Sequence, residues 1–270
     1  KQLANAVNAQ TVVTDNDNMI VFDDEGEELD DEELEEIDED WADALYKVDK
    51  ELELRDPRSL SQAVADLIPG ALGDEGFVWA LSAYTEFSKG GPIENLSAVF
   101  HDDDDAFDLP DVVVTTGYDK ILGPIAEGLD IRLSTKVQKI EYGDDGVTVS
   151  TDQGEFEGDY VVCSLPLGVL KAGAVEFDPP LPADYRKNIE KIDFDSVTKI
   201  AFKFEQPFWD VETQYFGIMT EPKGRWNFWL NYRTFSPENI ILGLSMGAGN
   251  ALGQDRISHR AGQADQIAGT

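Results

Sequence analysis

Three strand-like runs, VQKIEY (137–142), GVTVST (146–151) and GEFEGDYVVCSL (154–165), follow one another with only GDDG and DQG turns between them. Side chains on extended chain alternate between faces, and glycine-bearing turns let the backbone reverse within two residues. The pattern predicts a β-meander running into an apolar strand, Tyr160–Leu165, which excludes an all-helical fold. Just upstream, Val112–Val114, Asp119–Gly128 and Ile131–Leu133 read as strand, helix and strand, an α/β unit with a short crossover. Beyond Pro166 the pattern predicts a helix near 183–192 and strands at 196–205, 214–220, 225–232 and 239–246.

The first hundred residues have a different period. Residues 23–40 hold 14 acids in 18 positions, a composition that by itself favours disorder. The apolar residues Leu34, Ile37, Trp41, Leu45, Val48 and Leu52 nevertheless recur at steps of three and four. That spacing predicts an amphipathic helix over about 29–53 whose acids form the solvated face, with Pro57 beyond its end. Ser59 and Gln62 have capping-box spacing at the head of a second helix. A third fits 77–88 and is stopped by Gly90, Gly91 and Pro92. HDDDDAF (101–107) lacks the alternating ligand spacing of a calcium loop and reads as an acidic turn. From Ala251 onward the residues are polar and small, and no structure is assigned to them.

With 55 acidic against 21 basic residues the formal net charge is -34. Such a surface repels phosphate and anionic lipid, so nucleic-acid and membrane-surface binding are excluded, whereas cations are attracted. Cys163 is the single cysteine, and His101 and His259 are the two histidines, so no disulfide and no Cys- or His-rich metal centre is expected. No apolar run approaches the ~20 residues of a membrane span and no signal peptide is present, which favours a soluble, cytoplasmic setting.

Lys199 poses the sharpest question about function. In FDSVTKIAFKFEQPFW (194–209), alternation puts Thr198, Ile200, Phe202 and Phe204 on one face and Val197, Lys199, Ala201 and Lys203 on the other. Two lysines on one strand face look like a solvated surface. The neighbouring strings speak otherwise. GYDKILGPIAEGLDIRLSTKVQKIEY (117–142), GDYVVCSLPLGVLK, FDPPLP, SVTKIAFKFEQPFWD and RWNFWLNYRTFSPENIILGLSMGA occur in that order, and SLPLGVLKAGAVEFDPPLP (164–182) is the most specific of them. Together they closely resemble the flavin-dependent amine oxidase family, which includes polyamine oxidases, monoamine oxidases and flavin histone-lysine demethylases. The likeness is close over 110–249 and loose over 1–109.

The resemblance implies FAD as cofactor, a cationic, polyamine-like amine as substrate, and hydride transfer to the flavin followed by reoxidation with O2 to H2O2. The amine can equally be a cationic amine other than a polyamine, and the resemblance implies a fold of mixed α+β and α/β character. Residues 1–109 would form the helical first part of a substrate-binding domain and 110–170 a middle segment of a Rossmann-like FAD domain. Residues 171–250 would be the sheet of the substrate-binding domain, with 251–270 unassigned. Lys199 matches a lysine that holds a water beside the flavin, so burial in a cleft is expected there. Val137 matches a valine whose backbone meets the adenine, although a sheet-core valine is the plainer reading. Ser164, Leu165 and Pro166 match the passage beside the cofactor, or else a strand end and turn. Trp226 and Phe228, with Trp229, either line an amine tunnel or pack a core; Phe208 and Trp209 are expected to pack the sheet.

Two features depart from the family. GxGxxG and its acidic follower are absent, and Thr115–Thr116–Gly117 has a threonine where a paired glycine is usual. These departures carry the expectation of an internal piece of a longer protein that would not hold FAD tightly alone. The rival reading is a non-catalytic acidic module binding basic partners such as histone tails; a buried Lys199 would favour the enzyme and a wet one the module.

Overall fold

The structure, a computed structural model, describes residues 2–102, 110–194 and 197–245. The acidic turn from 103 and the tail from 251 lie outside the described residues. In chain order the first elements are α1 (Gln2–Ala6), β1 (Thr11–Val13), β2 (Met19–Phe22), α2 (Asp31–Glu51), α3 (Leu60–Leu67) and α4 (Glu75–Ala80). A π-helical turn, Leu81–Glu86, joins α4 to α5 (Phe87–Lys89). Then come β3 (Val112–Val114), α6 (Tyr118–Ala126), β4 (Val137–Gly143), β5 (Gly146–Thr151), β6 (Gly154–Gly158), α7 (Leu167–Lys171) and β7 (Glu176–Asp178). The last are α8 (Ala183–Lys191), β8 (Thr198–Lys203), β9 (Tyr215–Ile218), β10 (Phe228–Asn231) and β11 (Ile240–Ser245). The chain divides into two compact units, Lys1–Ile121 with Asp195–Thr270, and Leu122–Phe194.

The first unit holds a five-stranded mixed sheet ordered β2-β9-β10-β11-β8, parallel at β2–β9 and antiparallel elsewhere, and a separate β1–β3 pair. Both predicted helix starts are found. Asp30 Oδ1 accepts from the Glu32 and Glu33 amides at 3.0 Å while Asp30 N donates to Glu33 Oε2. Ser59 and Gln62 make the same reciprocal pair. The stripe along α2 turns Ala44 and Val48 into a cluster with Leu60, Ala63, Val64, Phe77, Leu81, Ile93 and Ala98, while the acids stay in water.

The helix formed by α4, the π turn and α5 is buried on nearly every side. A buried polar group is tolerated when it is hydrogen-bonded, and three here are: Thr85 Oγ1 accepts from Trp41 Nε1, Ser82 Oγ from Asn227 Nδ2, and Glu86 from Lys223. Trp79 packs closely against the sheet at Gly217. A Cβ on Gly217 would fall 2.9 Å from Trp79 Cε2 and 3.1 Å from Val21 Cγ2. Gly217→Ala is therefore expected to cost about 1–3 kcal/mol by overpacking. Urea unfolding would show this as a lower midpoint, and an unshifted midpoint would mean that the indole moves aside freely.

The second unit is the predicted meander, β6-β5-β4, extended by β7 parallel to β4. Its core is thin: Ile140 and Val147 are its buried apolar residues. Lys139 on β4 joins Glu141, Glu176 and Asp178 at 3.1, 3.7 and 3.0 Å, an ion-pair cluster that raises its pKa, chiefly through Asp178.

Two expected strands do not form. Tyr160–Leu165 and Ile131–Leu133 are irregular and mostly exposed, with Tyr160 93%, Val162 94% and Leu133 82% accessible. An apolar extended run becomes a strand when a neighbouring backbone completes its ladder, and no strand among the described residues lies beside either run. The expected crossover unit thus stops at its helix, and β3 pairs instead with β1, antiparallel.

Candidate functional site

Directly paired residues on adjacent strands place their side chains on the same sheet face. The registers Val21↔Gly217, Gly217↔Phe228, Phe228↔Leu244 and Leu244↔Lys199 define one row across all five strands. Val21 and Leu244 are 1% and 4% exposed, Gly217 lies under Trp79, and the Phe228 ring stacks on Phe87 at 6.0 Å. Lys199 terminates this row. The lysine therefore stands on the helix-facing side of the sheet, level with its most buried residues.

Lys199 is exposed, and the dry cleft expected around it is absent among the described residues. The reason is its place on β8, the edge strand, combined with helical cover that reaches along the row to Phe228 through Phe87. Lys203, one helical turn's length of sequence further on, pairs with Glu238. Phe228 belongs to the same row as Lys199, with Leu244 between them. Trp226 does not: it sits in the β9–β10 turn at φ 55, where its carbonyl accepts from Trp229 Nε1 at 2.7 Å.

Trp229 points to the opposite face, stacked on Phe202, where Phe22, Phe204, Phe208 and Trp209 complete an apolar groove of 620 Å³. Of the two aromatics expected to pack the sheet, Trp209 is anchored by a 2.9 Å hydrogen bond to Asn231 Oδ1, while Phe208 is 76% exposed.

The residues matched to cofactor contacts lie in the second unit. Val137 is half-buried at the start of β4, paired with Thr151, and the register shifts immediately after it. Ser164 and Pro166 are exposed, Leu165 is half-buried, and Pro166 heads the short helix α7. Buried Glu86 and its half-buried partner Lys223, in the first unit, were not indicated by the sequence reading. The signal was a lone acid in the otherwise apolar run FVWALSAYTEF.

A dinucleotide pyrophosphate is held by a strand, a glycine-rich turn and a helix N-terminus. Among the described residues, β3 runs through Thr115–Thr116–Gly117 into α6. That turn carries a single glycine, and the Asp119 carboxylate occupies the space above it. The described residues do not fit a pyrophosphate at that turn.

The profile of the flavin containing amine oxidoreductase family matches residues 10–257. Lysine-specific histone demethylase 1 homolog 1 of Oryza sativa subsp. japonica is 36% identical over 176 residues, 64% of this chain and 21% of that protein. A possible lysine-specific histone demethylase 1 of Drosophila melanogaster is 32% identical over 188 residues, 61% of this chain and 21% of the other. The chain thus spans about a fifth of the length of these relatives. Wild-type putrescine oxidase bound to putrescine superposes with a TM-score of 0.67 at 16% identity, covering 93% of this chain and 62% of that one, which shows a shared fold. FAD is the cofactor that goes with such proteins. Over most of its length, this chain belongs to the family of flavin containing amine oxidoreductases.

Proposed function

We propose that the chain supplies the amine-facing sheet, with Lys199, and a middle segment of the FAD domain (110–170) of an enzyme that oxidises a cationic amine with O2 to give H2O2. The observation that carries this reading is the position of Lys199. An edge-strand lysine with no other role would sit anywhere on β8, whereas this one extends the row that runs through Val21, Gly217, Phe228 and Leu244. An ammonium there can order a water or a polar substrate group once the open end of the row is covered. The net charge of -34 raises the local concentration of a cationic substrate without selecting among amines. Val137 and Ser164–Pro166 are assigned to the cofactor side, and Phe228, with Trp226 in its turn, to the amine side.

The exposure of Lys199 and the ill-fitting turn at Gly117 favour a second reading: an acidic module that binds a basic peptide without catalysis. Flavin absorbance and peroxide release separate the two. The test expresses the full-length gene product and supplies spermine, spermidine, monoamines and methyl-lysine peptides. Lys199→Met is expected to slow turnover about tenfold or more while the protein stays yellow. Unchanged turnover removes the role of Lys199, and colourless protein that still binds basic peptides supports the module.

A further inference from the structure

The end of the sheet at the β9–β10 turn holds a pocket of 260 Å³ between that turn, the Asp24 loop and the start of α4. Its walls carry four carboxylates, Asp24, Asp74, Glu75 and Glu221. Among the described residues the cation in the wall is Lys223, already committed to Glu86 at 2.8 Å and Glu94 at 3.2 Å. Acids gathered in one place are common on a chain this acidic and make no site alone.

Asn227 supplies the second observation. It lines the same pocket, is 1% exposed, and its Nδ2 donates to Ser82 Oγ at 3.1 Å. Its Oδ1 has no hydrogen-bond partner among the described residues. A buried acceptor left unpaired costs about 1–3 kcal/mol, so a donor reaching it is favoured. Trp79 also lines the pocket and holds Asn227 in place through Nε1 to the Asn227 carbonyl at 3.1 Å.

We propose that this pocket binds an alkylammonium group, whose N–H donors meet Asn227 Oδ1 and whose charge is balanced by the surrounding carboxylates. The chemistry is shared by a free small amine and by a lysine side chain of a peptide. The site needs neither flavin nor Lys199, so it stands or falls independently of the oxidase reading.

The test titrates the ¹⁵N-labelled chain with n-butylammonium chloride at constant ionic strength, following the Trp79 indole and Asn227 side-chain amide resonances. Saturable shifts are expected, absent with n-butanol or sodium chloride. Asp24→Asn and Glu221→Gln should each weaken binding about threefold, the size of a solvent-facing charge contact. Glu32→Gln and Glu35→Gln on α2 change net charge equally and should leave affinity unaltered. Asn227→Leu should abolish the shift at Trp79; if that variant fails to fold, the Asp24 and Glu221 variants still decide. An acetyl-Gly-Lys-Gly-amide arm assigns the source: shifts at the same resonances identify a peptide side chain, and shifts with butylammonium alone identify a free amine. The proposal is overturned if neither amine moves these resonances, as for a pocket filled by water, or if the α2 variants weaken binding as much as the pocket variants.

Discussion

Glu86→Ala is expected to lower the free energy of unfolding by about 2–3 kcal/mol, the cost of removing the charged acceptor of a buried amide and of a half-buried ammonium. Glu86 is 1% exposed at the end of the π turn. It receives the Lys223 ammonium at 2.8 Å and the Ile93 amide at 2.9 Å. Truncation leaves the Ile93 N–H, in a residue 2% exposed, with no acceptor, and leaves Lys223 with the outer Glu94 alone. Glu86→Gln keeps an acceptor for Ile93 and should lose clearly less. Chemical denaturation of both variants provides the check, and because Glu86 is buried the loss should depend on salt less than that of an exposed pair. If both variants unfold within 0.5 kcal/mol of the parent, the pair does not stabilise the fold.

Leu60→Ala should cost about 2–5 kcal/mol. Leu60 is fully buried at the first turn of α3, its amide donates to the Leu96 carbonyl at 2.8 Å, and its side chain packs with Val48, Phe77 and Ile93. The spread reflects how far the site can collapse around the missing atoms. Leu54→Ala, at a residue 72% exposed, should change little. The comparison reads as a lowered denaturation midpoint at constant slope for Leu60 and none for Leu54. Equal effects at both positions would show that this cluster is not the core.

These two sites differ in how visible they were. The helix containing Leu60 was announced by Ser59 and Gln62, because a capping box is a contact between residues three apart and is written in consecutive letters. The stripe on α2 and the three meander strands were equally visible, since amphipathic periods of 3.6 and 2 are local geometry. Glu86 was not visible. Its burial depends on a turn that holds one more residue than an α-helical turn, and on Lys223 arriving from a hairpin 137 positions along the chain.

The same division runs through the candidate site. The ordered strings from Gly117 to Ala248 were enough to indicate the family, which the match over 10–257 then established. They also singled out Lys199 as the lysine to examine. Whether that lysine is dry was beyond them, because exposure depends on which strand lies at the sheet edge and how far the covering helix reaches. Tyr160–Leu165 makes the point from the other side: its apolar run promises a strand, yet a strand exists only where a second backbone meets it. Local sequence pattern therefore set the helices, the meander and the family of this chain. Long-range packing decided the edge position of Lys199, the pairing of buried Glu86 with Lys223 and the acid-walled pocket at Asn227, since pairing and burial are properties of neighbours distant along the chain.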